Sequence, residues 1–328
     1  MSLSPARLPR TRRGRLVGGV SALVLLTALG VAATAVPDGS PSPSAGASSA
    51  EPHGGRAGSV DDGTVPWPSD GQTAVELEGR GSLGTRGEQR PVPIASLAKV
   101  MTAHVVLREH PLRPGEPGPL IEVDREAAHE VGVGGESTVP VAAGQKYSQR
   151  RLLELLLIPS GNNIARLLAR WDSGSQEAFV RKMRRAADEL GMDRSVYTGA
   201  SGIEVTTTST AVDQLKLARE VMKNPVFREI VASRSVTVPG TGPVSNTNSL
   251  LGDSGVVGLK TGSSTPAGGN LLWASEVRVD GGTRLLLGAV LHQRAGTTAG
   301  EGLRAALGNS RALIDGLRGR LASSRSGS

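Results

Sequence analysis

The chain has 328 residues, with 37 lysines and arginines against 30 acidic residues, a formal net charge of +7 and no cysteine. This length suffices for one sizeable domain or two small ones, and with only 2% aromatic residues the core must be built mostly from Leu, Val, Ala and Ile. The absence of cysteine excludes a disulfide scaffold, a thiolate zinc site, an iron–sulfur cluster and a cysteine nucleophile.

The first 36 residues carry five arginines and no acidic residue, and an uncharged apolar run follows from Leu16 to Val36. A basic start, an apolar middle and the ending Ala33-Thr34-Ala35 are typical of an export signal, by either the general or the twin-arginine route. The run is also long enough to span a bilayer. We therefore expect residues 1–36 to be a signal peptide or an N-terminal membrane anchor, which places the rest of the chain outside the cytoplasm.

The five leader arginines account for most of the net charge and leave about +2 for residues 37–328. Nucleic-acid binding needs a basic stripe with aromatic residues, so we expect no nucleic-acid partner. Residues 37–64 are rich in Ser, Pro and Gly, a composition that predicts a linker. The folded part is expected over residues 65–328.

Hydrophobic periodicity and turn residues predict the elements of this folded part in chain order. They are a strand at 73–78, a helix after Ser96, helices at 149–158, 163–171, 176–190 and 211–222, a strand at 256–261, a hairpin of 271–279 and 283–292, and a helix at 303–321. Asn224-Pro225 is expected to end the fourth of the numbered helices. Because the strands come from both ends of the chain, the pattern predicts an α+β domain, in which helices flank a sheet and a helical lobe is inserted.

Lysine is rare in this chain: six of the 37 basic residues are lysines. Only Lys99 has a serine three residues before it, in Ser96-Leu97-Ala98-Lys99. Positions i and i+3 share a helix face, so the Lys99 amine could take the proton of the Ser96 hydroxyl if burial and nearby positive charge lower its pKa. An arginine stays protonated and could not. Alone, the motif fits an N-capping serine and a solvated lysine better.

Two further short motifs bear polar side chains at expected turns. Ser160-Gly161-Asn162 lies between two predicted helices, and Lys260-Thr261-Gly262 is expected to end a strand. A lysine and a threonine hydroxyl can bind a carboxylate, and a glycine lets a substrate backbone approach. Each motif alone is better explained as an ordinary turn.

Together the three motifs match the S-x-x-K, S-x-N and K-T-G pattern of penicillin-binding proteins and serine β-lactamases, in the same order. With the stretches around them (93–103, 159–163 and 258–262), the sequence resembles the serine-type D-alanyl-D-alanine carboxypeptidases, the low-molecular-mass penicillin-binding proteins. The resemblance covers roughly residues 65–322 and implies the DD-peptidase/β-lactamase-like fold, with a mainly antiparallel sheet. The second β-domain and C-terminal anchor of some relatives are expected to be absent.

The resemblance also implies a mechanism in which Ser96 attacks the carbonyl of the penultimate D-Ala and Lys99 takes its proton. Substrates are then peptidoglycan stem peptides ending in D-Ala-D-Ala, and β-lactam antibiotics are covalent inhibitors. No cofactor is implied. Ser160 would relay a proton to the leaving amine, and Asn162 would hold the substrate and position Lys99. Lys260 and Thr261 would bind the terminal carboxylate, and Gly262 would let the substrate backbone approach. The N–H groups of Ser96 and Ser263 would form the oxyanion hole. Arg294 either adds to carboxylate binding or is a solvated surface residue.

Three alternatives stay open. A β-lactamase on the same fold needs a deacylating glutamate, for which Glu220 lies in the nearest matching string. A chymotrypsin-like protease would use His104 and Ser254, although the helical middle of the chain opposes it. A cell-wall-binding module without turnover is the third alternative. The five histidines show no metal-binding spacing, so no metal site is expected.

Overall fold

The computed structural model describes residues 63, 65–238 and 240–323. The expected signal or anchor (1–36) and nearly all of the expected linker (37–64) lie outside the described residues, as do residues 324–328. Within the described part, no helix combines the length and the apolar character needed to cross a lipid bilayer.

The fold is organised around a five-stranded antiparallel sheet in the order β2-β1-β11-β10-β9. The early strand β1 pairs with the late strand β11, as expected for a sheet drawn from both ends of the chain, and β2, which was not predicted, pairs with β1. The strands of this sheet are β1 (Gln72–Leu77), β2 (Gly81–Arg86), β9 (Val256–Ser264), β10 (Gly268–Val279) and β11 (Gly282–Gln293). The remaining strands of the described part form three short pairs: β3 (Val92–Pro93) with β6 (Thr208–Ser209), β4 (Leu120–Glu122) with β5 (Lys146–Ser148), and β7 (Ser235–Val238) with β8 (Gly242–Ser245).

Helices cover both faces of this sheet. The helices of the described part are α1 (Ala98–Glu109), α2 (Arg125–His129), α3 (Gln149–Leu157), α4 (Asn162–Ser173), α5 (Gln176–Glu189), α6 (Ala211–Val221), α7 (Pro225–Val231) and α8 (Ala299–Ser323). Helix α8 packs on one face, whereas α6 and the lobe that contains α1 pack on the other. Neighbouring side chains of a strand point to opposite faces, and both faces of β1 are buried: Ala74 belongs to the core of the helical lobe and Val75 to the core beneath α8.

Local sequence signals explain most of the element ends. The β10–β11 hairpin turns at Asp280-Gly281, where both residues have the positive φ of a type I′ turn. Ser175 caps α5, since its hydroxyl accepts a hydrogen bond from Ala178 N. The expectation for Asn224-Pro225 was incomplete: Asn224 caps a new helix, α7, and Pro225 occupies its first position, where no backbone N–H is needed.

Candidate active site

Ser96 lies in a 3₁₀ turn (Ala95–Leu97) directly ahead of α1, and Lys99 lies in the first turn of that helix. Ser96 is half-buried, whereas the side chain of Lys99 is 0% exposed. Ala95 has a φ of 47°, a backbone conformation that is unfavourable for a residue with a Cβ. The turn thus holds the Ser96 hydroxyl at the end of a buried helix instead of along its side.

The Lys99 amine has three hydrogen-bond partners. Its Nζ lies 2.9 Å from Ser96 Oγ, 2.5 Å from Asn162 Oδ1 and 2.8 Å from the backbone oxygen of Ser201. The residues of the S-x-x-K motif are therefore in direct contact, and Asn162 of the second motif joins them. Thr102, one turn later in α1, holds the Ser201 segment in place through a 2.7 Å hydrogen bond to Ala200 O.

Burial lowers the pKa of Lys99 well below its usual value, and the positive charges of Lys260 and Arg166 lower it further. The carboxylates of Glu136 and Glu204 raise it, but by less. An amine with a lowered pKa is unprotonated in a larger fraction of molecules near neutral pH. Lys99 can therefore accept the Ser96 proton, which an ordinary solvated lysine could not do.

Ser160 lies in the link between α3 and α4, and Asn162 begins α4. Ser160 has a φ of 65°, which is uncommon for a residue other than glycine, and its buried Oγ has no hydrogen-bond partner among the described residues. A buried hydroxyl without a partner is costly, and such strained, unsatisfied groups are concentrated at functional sites. Asn162 is the first residue of α4, so its side chain points from the helix start toward Lys99.

The Lys260-Thr261-Gly262 motif lies within β9 and not at its end, because the strand continues to Ser264. Lys260 is 1% exposed; burial lowers its pKa to about 7, and its Nζ donates to Thr261 O. Thr261 Oγ1 donates a 2.5 Å hydrogen bond to Thr247.

Gly262 allows β9 to lie directly against the Ser96 turn. A Cβ on Gly262 would be 2.8 Å from Ile94 O and 3.0 Å from Ser96 N, closer than a side chain tolerates. Ser263 follows in the same strand and is half-buried. Because position 262 has no side chain, the Lys260-Thr261-Gly262 motif can lie directly beside Ser96.

Arg294 follows the end of β11, and its exposed side chain forms no hydrogen bond or ion pair with the residues of the three motifs. Its backbone N–H donates to Asp70 Oδ2. Gln293 pairs with Gly269, which in turn pairs with Ser263, so Arg294 lies at the same end of the sheet as Ser263.

Two charged residues at the site were missed by the sequence analysis. Glu136 Oε2 accepts a 3.0 Å hydrogen bond from Asn162 Nδ2 and a 2.9 Å hydrogen bond from Arg166. No motif or periodicity in the sequence marks either residue. No cluster of potential metal ligands occurs in the part of the chain that the structure describes.

The residues of the alternative sites lie apart. His104 lines a cavity of about 310 Å³ between α1, α6 and α7, together with Glu220, whereas Ser254 hydrogen-bonds to Asp315 of α8. Glu220 is paired with Lys223 and has no recorded contact with Ser96 or Lys99. His104 and Ser254 therefore do not form a catalytic pair, and Glu220 does not lie where a deacylating glutamate would be needed.

Comparison with known proteins gives consistent matches. A family model described as D-alanyl-D-alanine carboxypeptidase matches residues 73–290. The chain is 33% identical to D-alanyl-D-alanine carboxypeptidase DacB2 of Mycobacterium tuberculosis over 236 residues, which cover 69% of this chain and 76% of DacB2. It is also 33% identical to DacD of Escherichia coli over 199 residues, which cover 58% of this chain and half of DacD. The crystal structure of the Streptomyces K15 DD-transpeptidase superposes with a TM-score of 0.64 and 27% identity, covering 74% of this chain and 95% of that one.

Proposed function

The chain belongs to the D-alanyl-D-alanine carboxypeptidase family of serine hydrolases, and we propose that Ser96 is the nucleophile with which it removes the terminal D-Ala from peptidoglycan stem peptides. One observation carries the assignment: the Ser96 hydroxyl lies 2.9 Å from a buried lysine whose pKa is lowered. A serine is a weak nucleophile until a neighbouring base takes its proton, and the short distance and the lowered pKa support the assignment of Lys99 as that base.

In the proposed acylation step, Ser96 Oγ attacks the carbonyl carbon of the penultimate D-Ala while its proton passes to Lys99. The negative charge on the carbonyl oxygen is stabilised by the backbone N–H groups of Ser96 and Ser263. The C–N bond then breaks, and the proton held by Lys99 reaches the leaving amine of D-Ala through the Ser160 hydroxyl, which gives up one proton and receives another. Water subsequently attacks the acyl-enzyme and loses a proton to Lys99, and that proton returns to Ser96 Oγ as the ester bond breaks.

Substrate binding is assigned to the end of the sheet beside Ser96. Lys260, when protonated, and the Thr261 hydroxyl attract the terminal carboxylate, and Gly262 leaves room for the substrate backbone. Asn162 Nδ2 carries a second N–H that can face a substrate carbonyl. Arg294 adds positive charge at this end of the sheet.

β-Lactams are expected to acylate Ser96 by the same attack, which opens their ring. The leaving nitrogen then stays tethered to the acyl group instead of departing as D-Ala does, so the acyl-enzyme is expected to be long-lived. Stem peptides are found outside the cytoplasm, so the enzyme is assigned an extracytoplasmic location. Residues 1–36 serve this export either as a signal peptide or as an N-terminal membrane anchor.

Intact-mass measurement tests the assignment. The purified protein is incubated with benzylpenicillin, and we expect a stable mass increase of one covalently bound drug molecule, which Ser96→Ala should abolish. Release of D-Ala from a pentapeptide ending in D-Ala-D-Ala should be lost in the same variant. Penicillin labelling of Ser96→Ala would refute the assignment of Ser96 as the nucleophile. Rapid hydrolysis of nitrocefin by the wild type would favour the β-lactamase alternative.

A further inference from the structure

The Asn162 amide is held between a group that can only accept hydrogen bonds and the Lys99 amine. Its Nδ2 donates to Glu136 Oε2 at 3.0 Å, and its Oδ1 lies 2.5 Å from Lys99 Nζ. An ionised carboxylate cannot donate, so the NH₂ end of the amide must face Glu136. The oxygen end must therefore face Lys99.

This orientation decides where the Lys99 lone pair points. A neutral lysine amine has two N–H donors and one lone pair. Asn162 Oδ1 and the backbone oxygen of Ser201 are both acceptors, and together they occupy the two N–H groups. The lone pair then remains for the third neighbour, the Ser96 hydroxyl at 2.9 Å. An inverted Asn162 amide would instead present N–H to Lys99 and occupy the lone pair.

We propose that Glu136, held by Arg166, is a positioning residue of this active site, whose carboxylate sets the Asn162 amide so that the lone pair of Lys99 is directed at Ser96. The inference rests on the proposed function, because it assumes that Lys99 is the base. It adds a pair of charged residues that lie outside all three sequence motifs.

Glu136 is held firmly enough for this role. Asn162 N donates to Ser137 O at 2.8 Å, and Asn163 hydrogen-bonds to both the N–H and the carbonyl of Val139. These contacts tie the Glu136 segment to the start of α4. Arg166, one turn further along α4, donates to Glu136 and, through Nε, to Glu130 at 2.9 Å.

Glu136 also contributes to the electrostatics of the base. Burial opposes its ionisation, but the hydrogen bonds from Asn162 and Arg166 lower its pKa, so the carboxylate is charged at neutral pH. Four charged groups act on Lys99: Lys260 and Arg166 favour the neutral amine, and Glu136 and Glu204 favour the ammonium form. Glu136 and Arg166 therefore have opposite effects on the pH at which Lys99 becomes a base.

Glu136→Gln separates the two contributions of Glu136. Both Asn162 and Arg166 donate to the same oxygen, Oε2, and a glutamine carbonyl in that place can accept both hydrogen bonds. The variant thus keeps the amide orientation but removes the charge. Glu136→Leu removes the acceptor as well, and Arg166→Gln removes the opposing charge.

The experiment measures the second-order rate constant of acylation by benzylpenicillin against pH, with the melting temperature of each variant. We expect E136Q to keep the plateau rate within about threefold and to move the acid limb down by about one pH unit. We expect R166Q to move the acid limb to higher pH, and the double variant E136Q/R166Q to bring it back toward the wild-type pH. We expect the plateau rate constant of E136L to fall about tenfold or more. E130Q is the matched control: it removes the other carboxylate of Arg166, which does not contact Asn162, and should shift the limb less than E136Q.

Limbs that stay at the wild-type pH in both E136Q and R166Q would refute the electrostatic effect of Glu136 on Lys99, and an E136L plateau equal to that of wild type would overturn its positioning role. A folded E136L is not needed for the first of these results, because E136Q and R166Q report on their own. S96A is included in the same series. If S96A is still acylated, the proposed function itself fails, whereas an inert S96A together with a wild-type plateau in E136L refutes only the role of Glu136.

Discussion

Lys260 and Lys99 are both almost fully buried, and the positive charge of Lys260 lowers the pKa of Lys99. The two lysines come from different layers, since one lies in strand β9 and the other in helix α1. In the proposed reaction they need opposite protonation states: Lys99 must be neutral to accept a proton, and Lys260 must be charged to attract a carboxylate. The positive charge of Lys260 favours the neutral form of Lys99.

This relationship predicts a bell-shaped pH dependence of acylation. The rate constant should rise as Lys99 loses its proton and fall as the pH passes about 7, where Lys260 of the free enzyme loses its own. Lys260→Arg should keep binding the carboxylate at higher pH, because arginine stays protonated. The measurement is the second-order acylation rate constant from pH 5 to 10. An alkaline limb that does not move in this variant would contradict the role of Lys260.

Lys99→Arg should abolish acylation while the protein stays folded. The variant retains a positive charge and a long side chain but has no group that can accept the serine proton near neutral pH. We expect a decrease of at least about 1000-fold in the acylation rate, as when other essential bases are removed. Stopped-flow labelling with a fluorescent penicillin gives the rate, and circular dichroism verifies the fold. Near-wild-type labelling would refute the assignment of the base.

Lys260→Met should stabilise the protein, most strongly at low pH. In the unfolded chain Lys260 is protonated up to its ordinary pKa, whereas in the folded protein its pKa is lowered to about 7. Below pH 7 the folded state therefore buries a charge, and this cost decreases as the pH rises from about 7 toward 10. We expect a gain on the order of a few kcal/mol at pH 6 that becomes smaller by pH 9.

Urea unfolding of this variant and wild type at both pH values measures that gain. The exposed Lys223→Met is the control and should show no comparable gain. A gain that grows with pH would mean that the sign of the burial effect is wrong.

Gly262→Ala should inactivate the enzyme through its backbone neighbours. The added methyl group would lie 2.8 Å from Ile94 O and 3.0 Å from Ser96 N, and neither atom can move without moving the turn that holds Ser96. We expect about a 100-fold loss in acylation rate, because the Ser96 N–H is also a proposed oxyanion donor. Gly308→Ala in α8 is the control: nothing lies within 4 Å of its Cβ position, so its activity should be unchanged. Wild-type rates in the Gly262 variant would show that β9 can shift without consequence.

Arg294→Gln tests whether this arginine binds substrate. If its charge attracts the terminal carboxylate, KM for a pentapeptide should rise severalfold while kcat is nearly unchanged, because binding of substrate and transition state is weakened alike. Arg278→Gln on the exposed part of β10 is the matched control and should change neither constant. An unchanged KM in the Arg294 variant would identify that residue as an ordinary surface arginine.

The predictable part of the site is the part that depends on short spacing. Ser96 and Lys99 could be paired from the sequence because three residues bring two side chains to one helix face. Glu136 could not be found in this way, since its partners Asn162 and Arg166 are 26 and 30 residues away and contact it only after the segment folds back on α4. The helix α7 was missed for a related reason: Asn224-Pro225 fits a helix end and a helix start equally well, and the buried Phe227 decides between them by packing.

The sequence by itself determined most of the longer elements and their order, the contribution of both ends of the chain to the sheet, and the three motifs to which the chemistry is assigned, because periodicity and motif spacing are local properties of the chain. Only the tertiary structure decided which lysines have a lowered pKa, which way the Asn162 amide faces and how closely β9 approaches Ser96. These depend on burial and on contacts between residues distant in the chain, and a pKa or a hydrogen-bond direction is set by what surrounds a group in space.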